Sequence, residues 1–241
     1  MADRTVLVTG GSRGIGSEIC RQLLTGGYRV IAVARNPTEE ITELLDRHGH
    51  RLRFERADLC RAADLDRLCR LLRSTSSLFG LVNNAGTAIA GLHVTLDRDS
   101  MSRMLALNVY APMALCQAAV RSMARRHAGR IVNISSVSAH RTFRGLGVYT
   151  ATKTALEGFS RVLAVEAGHW GVTVNCVAPG YVETAMNAEL SEQVRVRIVA
   201  RNALPVAPRA ADVASVVDFL LSPAADTLTA QVIRVDSGSA A

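Results

Sequence analysis

Seven short apolar runs alternate with stretches of helical period, and no other feature restricts the fold as much. The runs are Thr5–Thr9, Arg29–Ala34, Leu52–Ala57, Phe79–Asn83, Arg130–Ser135, Val172–Ala178 and Gln231–Val235. Between them, residues 14–26, 38–48, 62–74, 97–126, 148–168 and 210–221 read as helices. Most runs are continuously apolar rather than alternating, as in strands covered on both faces. A strand, a helix and a further strand close as a right-handed unit with parallel strands. The pattern therefore predicts an α/β, doubly wound fold: a seven-stranded parallel sheet flanked by helices on both faces. Gly26-Gly27 marks a helix stop, and Asp97 or Asp99 can cap the fourth helix. A length of 241 residues, with 49% of them hydrophobic, fits one domain over 1–241 with a sizeable core. Residues 183–209 break the alternation. Ligands of such sheets bind outside the carboxyl ends of the strands, so this insertion is expected to be a substrate lid. A surface excursion or an oligomer contact is the plainer use of it.

Composition excludes several function classes. No apolar run reaches the roughly 18 residues that a membrane span needs, and the first run is too short for a secretory signal. A cytoplasmic protein is expected. The five cysteines, Cys20, Cys60, Cys69, Cys116 and Cys176, form no CxxC pair, so neither a disulfide framework nor a metal site is expected. The formal charge of +7 is spread along the chain, and aromatic residues make up only 4% of it. Nucleic acid is therefore not an expected partner. An anionic cofactor and an acidic substrate or carrier would suit the charge better. Of the 28 basic residues, 27 are arginine and one, Lys153, is lysine. The two types differ most where a compact ammonium with a tunable pKa is needed.

Thr9-Gly10-Gly11-Ser12-Arg13-Gly14-Ile15-Gly16 follows the first strand and opens the first helix. Glycines there let backbone N–H groups approach a pyrophosphate, and the helix N-terminus adds positive potential. An NAD site carries an acid about 20 residues on, at the end of the second strand. Here that place reads Val33-Ala34-Arg35-Asn36. With Arg13 beside it, Arg35 favours a 2′-phosphate and hence NADP(H), unless both simply point to water. Asp58, after the third strand, can take a hydrogen bond from the adenine amino group or cap the next segment. Asn83-Asn84-Ala85-Gly86 ends the fourth strand; its small residues let the chain pass close to the cofactor, and Asn84 can tie strand ends together.

Ser136 follows the fifth strand, Tyr149 comes 13 residues later, and Lys153 lies four beyond that. At i and i+4 on a helix, Tyr149 and Lys153 share a face. A free tyrosine has a pKa of about 10, and a neighbouring ammonium favours its phenolate. Ser136 can steady charge on a substrate oxygen, with Ser138 as a second candidate. Asn108, inside the long fourth helix, can link Lys153 to solvent through a water. Trp170 reads as core or subunit contact rather than a substrate platform.

Together, Thr9-Gly10…Gly14…Gly16, Asn83-Asn84-Ala85-Gly86, Asn108, Ser136, Tyr149…Lys153 and Pro179-Gly180 resemble the short-chain dehydrogenase/reductase family in its single-domain, Rossmann-type form, over essentially the whole chain. The resemblance implies that Tyr149 is the general acid in reduction, that Lys153 lowers its pKa and holds the nicotinamide ribose, that Ser136 orients the carbonyl, and that Asn108 anchors a proton relay. It also implies cofactor contacts from Gly10, Ser12, Arg13, Gly14, Ile15, Gly16, Arg35, Asp58, Leu59, Asn84, Ala85 and Gly86. Pro179, Gly180, Val182 and Thr184 would line the nicotinamide. Family members are commonly tetramers, so a homotetramer or homodimer is expected. Arg130-Ile-Val-Asn-Ile-Ser-Ser and Val232-Ile-Arg-Val-Asp236 are similar to 3-oxoacyl-carrier-protein reductases, which implies a keto substrate presented on acyl carrier protein or CoA. Trp170 and Ser237-Gly238-Ser239 depart from that subgroup, which keeps a tailoring reductase of secondary metabolism or a small-ketone reductase open. A regulator that binds NADP without reacting is the reading from a different class.

Overall fold

The computed structural model describes residues 4–183 and 191–241. Its seven strands are β1 (Thr5–Thr9), β2 (Arg29–Ala34), β3 (Leu52–Arg56), β4 (Leu78–Asn83), β5 (Gly129–Ile134), β6 (Val172–Pro179) and β7 (Val232–Val235). They form one sheet in the order β3-β2-β1-β4-β5-β6-β7, parallel throughout. The chain runs outward from β1 to β3 and then returns to β4 on the other side of β1. That reversal opens a crevice at the carboxyl ends of β1 and β4, where a doubly wound sheet binds its ligand.

The helices are α1 (Gly14–Thr25), α2 (Glu39–His48), α3 (Ala62–Ser74), α4 (Arg98–Leu105), α5 (Ala111–Met123), α6 (Gly147–Gly168), α7 (Glu192–Val199) and α8 (Ala210–Leu221). The pleat sends alternate strand residues to opposite faces. Val6 and Val8 join α1, α2 and α8 in one core, whereas Leu7 joins α3, α5 and α6 in the other. Both faces of the sheet are thus covered, which is why the runs are apolar without alternating. Trp170 packs against the second core and tilts over His169, their ring centroids 3.8 Å apart.

Gly26 ends α1 through its N–H to Gln22 O, and Gly27 takes a positive φ of 87°. Asp97, not Asp99, caps α4: its carboxylate accepts from the Ser100 N–H at 2.7 Å and from the Ser100 hydroxyl at 2.7 Å. Strand ends move by one residue from the sequence expectation at β3 to β7. The stretch 97–126 differs more. It is not one helix: α4 passes into a π-helical segment, Ala106–Tyr110, before α5, and Ala124–Arg126 is a 3-10 turn. Pro112 supplies the reason. It has no N–H to give to the Asn108 carbonyl, as an α-helix would require there, and the wider turn carries Ala111 N–H to Ala106 O instead. The expected insertion after β6 contains α7, with its neighbour Leu204 tied to the C-terminal segment by an N–H to Ser237 O at 3.0 Å.

Candidate active site

One end of the crevice is built from backbone. Gly10 and Gly14 hold positive φ values of 64° and 59°, which a side chain would resist. A Cβ on Gly16 would lie 2.1 Å from Gly10 O and 2.6 Å from Asn84 Nδ2, so α1 starts directly on the glycine turn. Asn84 does tie the strand ends: its Nδ2 donates to Thr9 O at 2.9 Å and to Gly10 O at 3.1 Å. The Thr9 hydroxyl accepts from the Asn84 and Ala85 N–H groups, both at 3.0 Å. No side chain caps α1 and no acid lies in its first turn. Uncapped N–H groups beside a cradle that only glycine fits suit a pyrophosphate.

Around that turn the rim is basic. The Thr38 hydroxyl donates to Ser12 O, which draws the β2–α2 loop against the glycine turn. Arg13 and Arg35 are both exposed, and neither has an ion-pair partner among the described residues. Asp58 is only partly committed: one carboxylate oxygen accepts from the Cys60 N–H at 3.0 Å. It does not cap α3, whose preceding residue is Arg61. Leu59 and Val182 are buried in the second and first cores, so any contact they make with a ligand comes from their backbone. Ile15 packs partly against the first core. Pro179 ends β6, and Gly180 donates to Val235 O at 2.9 Å, where a Cβ would meet Asp236 Cα at 2.8 Å. Thr184 lies outside the described residues.

The other end is built from side chains on α6. Tyr149, Lys153 and Glu157 succeed one another at one-turn intervals. The Lys153 ammonium lies 5.7 Å from the Tyr149 ring centroid and donates to Ile134 O at 2.8 Å. Glu157 accepts from the Ser135 hydroxyl at 2.5 Å, and Ser160 accepts from Asn133 Nδ2 at 2.7 Å. Three consecutive residues of the β5 end are thus sewn to α6 by polar contacts. Ser136, next along, lies close enough to the Tyr149 phenol to favour its ionised form. Gly86 closes the group: a Cβ there would sit 3.3 Å from Asn108 Oδ1 and 3.4 Å from Lys153 Nζ.

Two expectations need correction. Burial holds the Tyr149 phenol above its usual pKa of 10.0, against the lowering effect of Ser136. The neighbouring lysine, whose ammonium donates to the Ile134 carbonyl, does not reverse this. Burial instead pushes Lys153 itself down from 10.5 to about 8, against the raising effects of Cys176 and Glu157. The Asn108 side chain is bonded at both of its polar atoms. Its Nδ2 gives one bond to Thr87 O at 2.8 Å and one to Thr152 Oγ1 at 3.0 Å, and its Oδ1 accepts from the Thr87 N–H at 2.9 Å. The atom left for the expected relay is its backbone carbonyl, which Pro112 cannot bond. Ser138 is buried, its hydroxyl has no hydrogen-bond partner among the described residues, and it is Ser136, not Ser138, that acts on the phenol.

Sequence reasoning missed Thr87, Thr152, Glu157 and His140. Glu157 had a usable signal, since it continues the four-residue spacing of Tyr149 and Lys153. The threonines had none, because the Asn108 side chain that they bond is brought to them by the fold.

The comparisons agree with this geometry. A family profile described as short chain dehydrogenase matches residues 4–195. The 3-oxoacyl-(acyl-carrier-protein) reductase FabG of Salmonella typhimurium is 34% identical over 241 residues, covering 98% of this chain and 96% of the relative. A short-chain dehydrogenase/reductase from Serratia marcescens superposes with a TM-score of 0.90 at 30% identity, covering 99% of this chain and 98% of its own. ElxO, solved with NADP bound, superposes with a TM-score of 0.89 at 26% identity and 98% coverage of both chains. A glycine turn that side chains would not fit, a tyrosine and lysine one helical turn apart, and a family match over most of the length lead to one conclusion: this chain belongs to the short-chain dehydrogenase family, as an oxidoreductase of C=O and CH–OH groups.

Proposed function

We propose that the protein is an NADP(H)-dependent ketoreductase, and that its substrate is a 3-oxoacyl thioester carried on acyl carrier protein or CoA, or a related ketone. The observation that carries the reading is the Ser136–Tyr149–Lys153 group at the carboxyl edge of the sheet, facing a basic nucleotide rim. Gly10, Gly14 and Gly16 would hold the pyrophosphate, Asp58 the adenine, and Arg13 with Arg35 the 2′-phosphate. Backbone from Ala85, Gly86, Pro179, Gly180 and Val182 would line the nicotinamide. When bound, the reduced cofactor supplies a hydride for the carbonyl carbon.

In reduction, Tyr149 gives its phenolic proton to the carbonyl oxygen, which becomes the alcohol. Its raised pKa keeps that proton in place at neutral pH. Ser136 donates a hydrogen bond to the same oxygen as charge develops on it. Lys153, with a pKa of about 8, places a cation beside the phenolate left behind and can return a proton. Of the lid expected over 183–209, residues 184–190 lie outside the described residues, and the described remainder would cover the substrate. Leu105, Tyr110, Val162 and Val165 are exposed on α4, the π segment and α6, which supports self-association through these helices. Two relatives add support: one is named for 3-oxoacyl-carrier-protein reduction and one was solved with NADP.

The test is absorbance loss of NADPH, with NADH in parallel, against a 3-oxoacyl thioester and a panel of free ketones. Turnover with NADPH and the thioester is the expected result. An inert thioester with reactive ketones would overturn the carrier assignment. Equal use of NADH would overturn the arginine assignment.

A further inference from the structure

Ser136 sits where β5 leaves the sheet, on a short 3-10 turn, Val137–Ala139. Its partner Tyr149 sits on α6. Their alignment depends on how that turn is fixed to the helix. Both sides of the turn converge on one atom. Ser135, just before it, donates to Glu157 Oε1 at 2.5 Å. His140, just after it, reaches the same oxygen through Nε2 at 3.0 Å. Facing a carboxylate oxygen, that ring nitrogen carries the proton. Ser135 and Glu157 are 3% and 4% exposed, so a buried acid accepts from both ends of the turn that carries Ser136.

We propose that Glu157 is a positioning residue: its Oε1 clamps the 135–140 turn to α6 and so sets the Ser136 hydroxyl against the Tyr149 phenol. The carboxylate contacts the imidazole of His140 and acts electrostatically on Lys153 and the thiol of Cys176. The kinetic part of this role rests on the reductase reading above.

Glu157→Ala, Glu157→Gln and the double variant Ser135→Ala/His140→Ala should be compared with the parent protein. Glu157→Ala is expected to lower kcat about 10-fold to 100-fold, the scale of a displaced catalytic group, with the NADPH dissociation constant within about twofold. Glu157→Gln keeps an oxygen for both donors and should recover most of that loss. The double variant leaves the acid in place and should reproduce the loss, which covers the case in which Glu157→Ala does not fold. A second readout needs no turnover. Tyr149 ionisation, isolated as the ultraviolet titration difference from Tyr149→Phe, should move to higher pH in Glu157→Ala and in the double variant as Ser136 moves away from the phenol and its lowering effect is lost. It should stay in place in Glu157→Gln. A parent-like kcat and titration in the double variant would overturn the role, as would a Glu157→Gln protein as impaired as Glu157→Ala. If the parent protein turns over no ketone, the reductase reading fails while the titration still decides whether Glu157 positions Ser136.

Discussion

The two ends of the crevice are made from different materials. At the β1–α1 end, the ligand-facing surface is backbone: glycines in conformations that exclude side chains, N–H groups without caps, and Asn84 holding two carbonyls. At the β5–α6 end it is side chain, with a buried lysine, a buried glutamate and a phenol raised by burial. The first end depends on shape and is indifferent to pH, whereas the second depends on the protonation of groups that water would otherwise solvate. Substitutions should therefore fail in different ways at the two ends, and each variant below can separate them or show that they are not separate.

The largest loss is expected for Lys153→Met, about 10²-fold to 10⁴-fold in kcat, with NADPH affinity changing far less. Comparable losses in both would mean that the lysine serves binding first. Ser136→Ala should lower kcat about 10²-fold while KM for NADPH holds, checked by steady-state kinetics. Gly16→Ala acts at the other end. It should weaken NADPH binding by about two orders of magnitude in a fluorescence titration, because the added methyl meets Gly10 O. A smaller step follows for Arg13→Ser/Arg35→Ser, with KM for NADPH up about tenfold and KM for NADH unchanged.

The smallest effect is on stability. The Lys153 pKa is depressed from 10.5 to about 8, so the unfolded chain binds more protons between those values and stability rises with pH across that window. Below about 8 the cost of burying the ammonium is fully present, and Lys153→Met should relieve about 1–3 kcal/mol of it in chemical denaturation. The gain should shrink as pH approaches 10.5. A gain independent of pH would place the effect in packing rather than charge.

Much of this contrast was legible in the sequence, and the backbone end more than the side-chain end. Glycine at a strand–helix junction has few uses, so Gly10, Gly14 and Gly16 announce their geometry. Tyr149 and Lys153 announced their neighbourhood by helical spacing, but not the direction of the phenol's pKa. That depends on burial depth and on where the ammonium turns, and Ile134 O is a backbone atom that no spacing rule finds. The break at Ala106–Tyr110 was hidden by apolar periodicity running straight through it. Only Pro112 signalled it, since a missing N–H deprives one particular carbonyl. Asp97 over Asp99 and the ends of β3 to β7 turned on single hydrogen bonds, which periodicity does not resolve.

The most direct test takes one variant, Tyr149→Phe, and measures NADPH binding and ketone reduction on the same sample. Binding equal to the parent protein's, with kcat reduced about 10³-fold or more, is expected if Tyr149 supplies the proton at an end that the cofactor cradle does not share. Turnover within a few fold of the parent's, or loss of NADPH binding together with turnover, would contradict it.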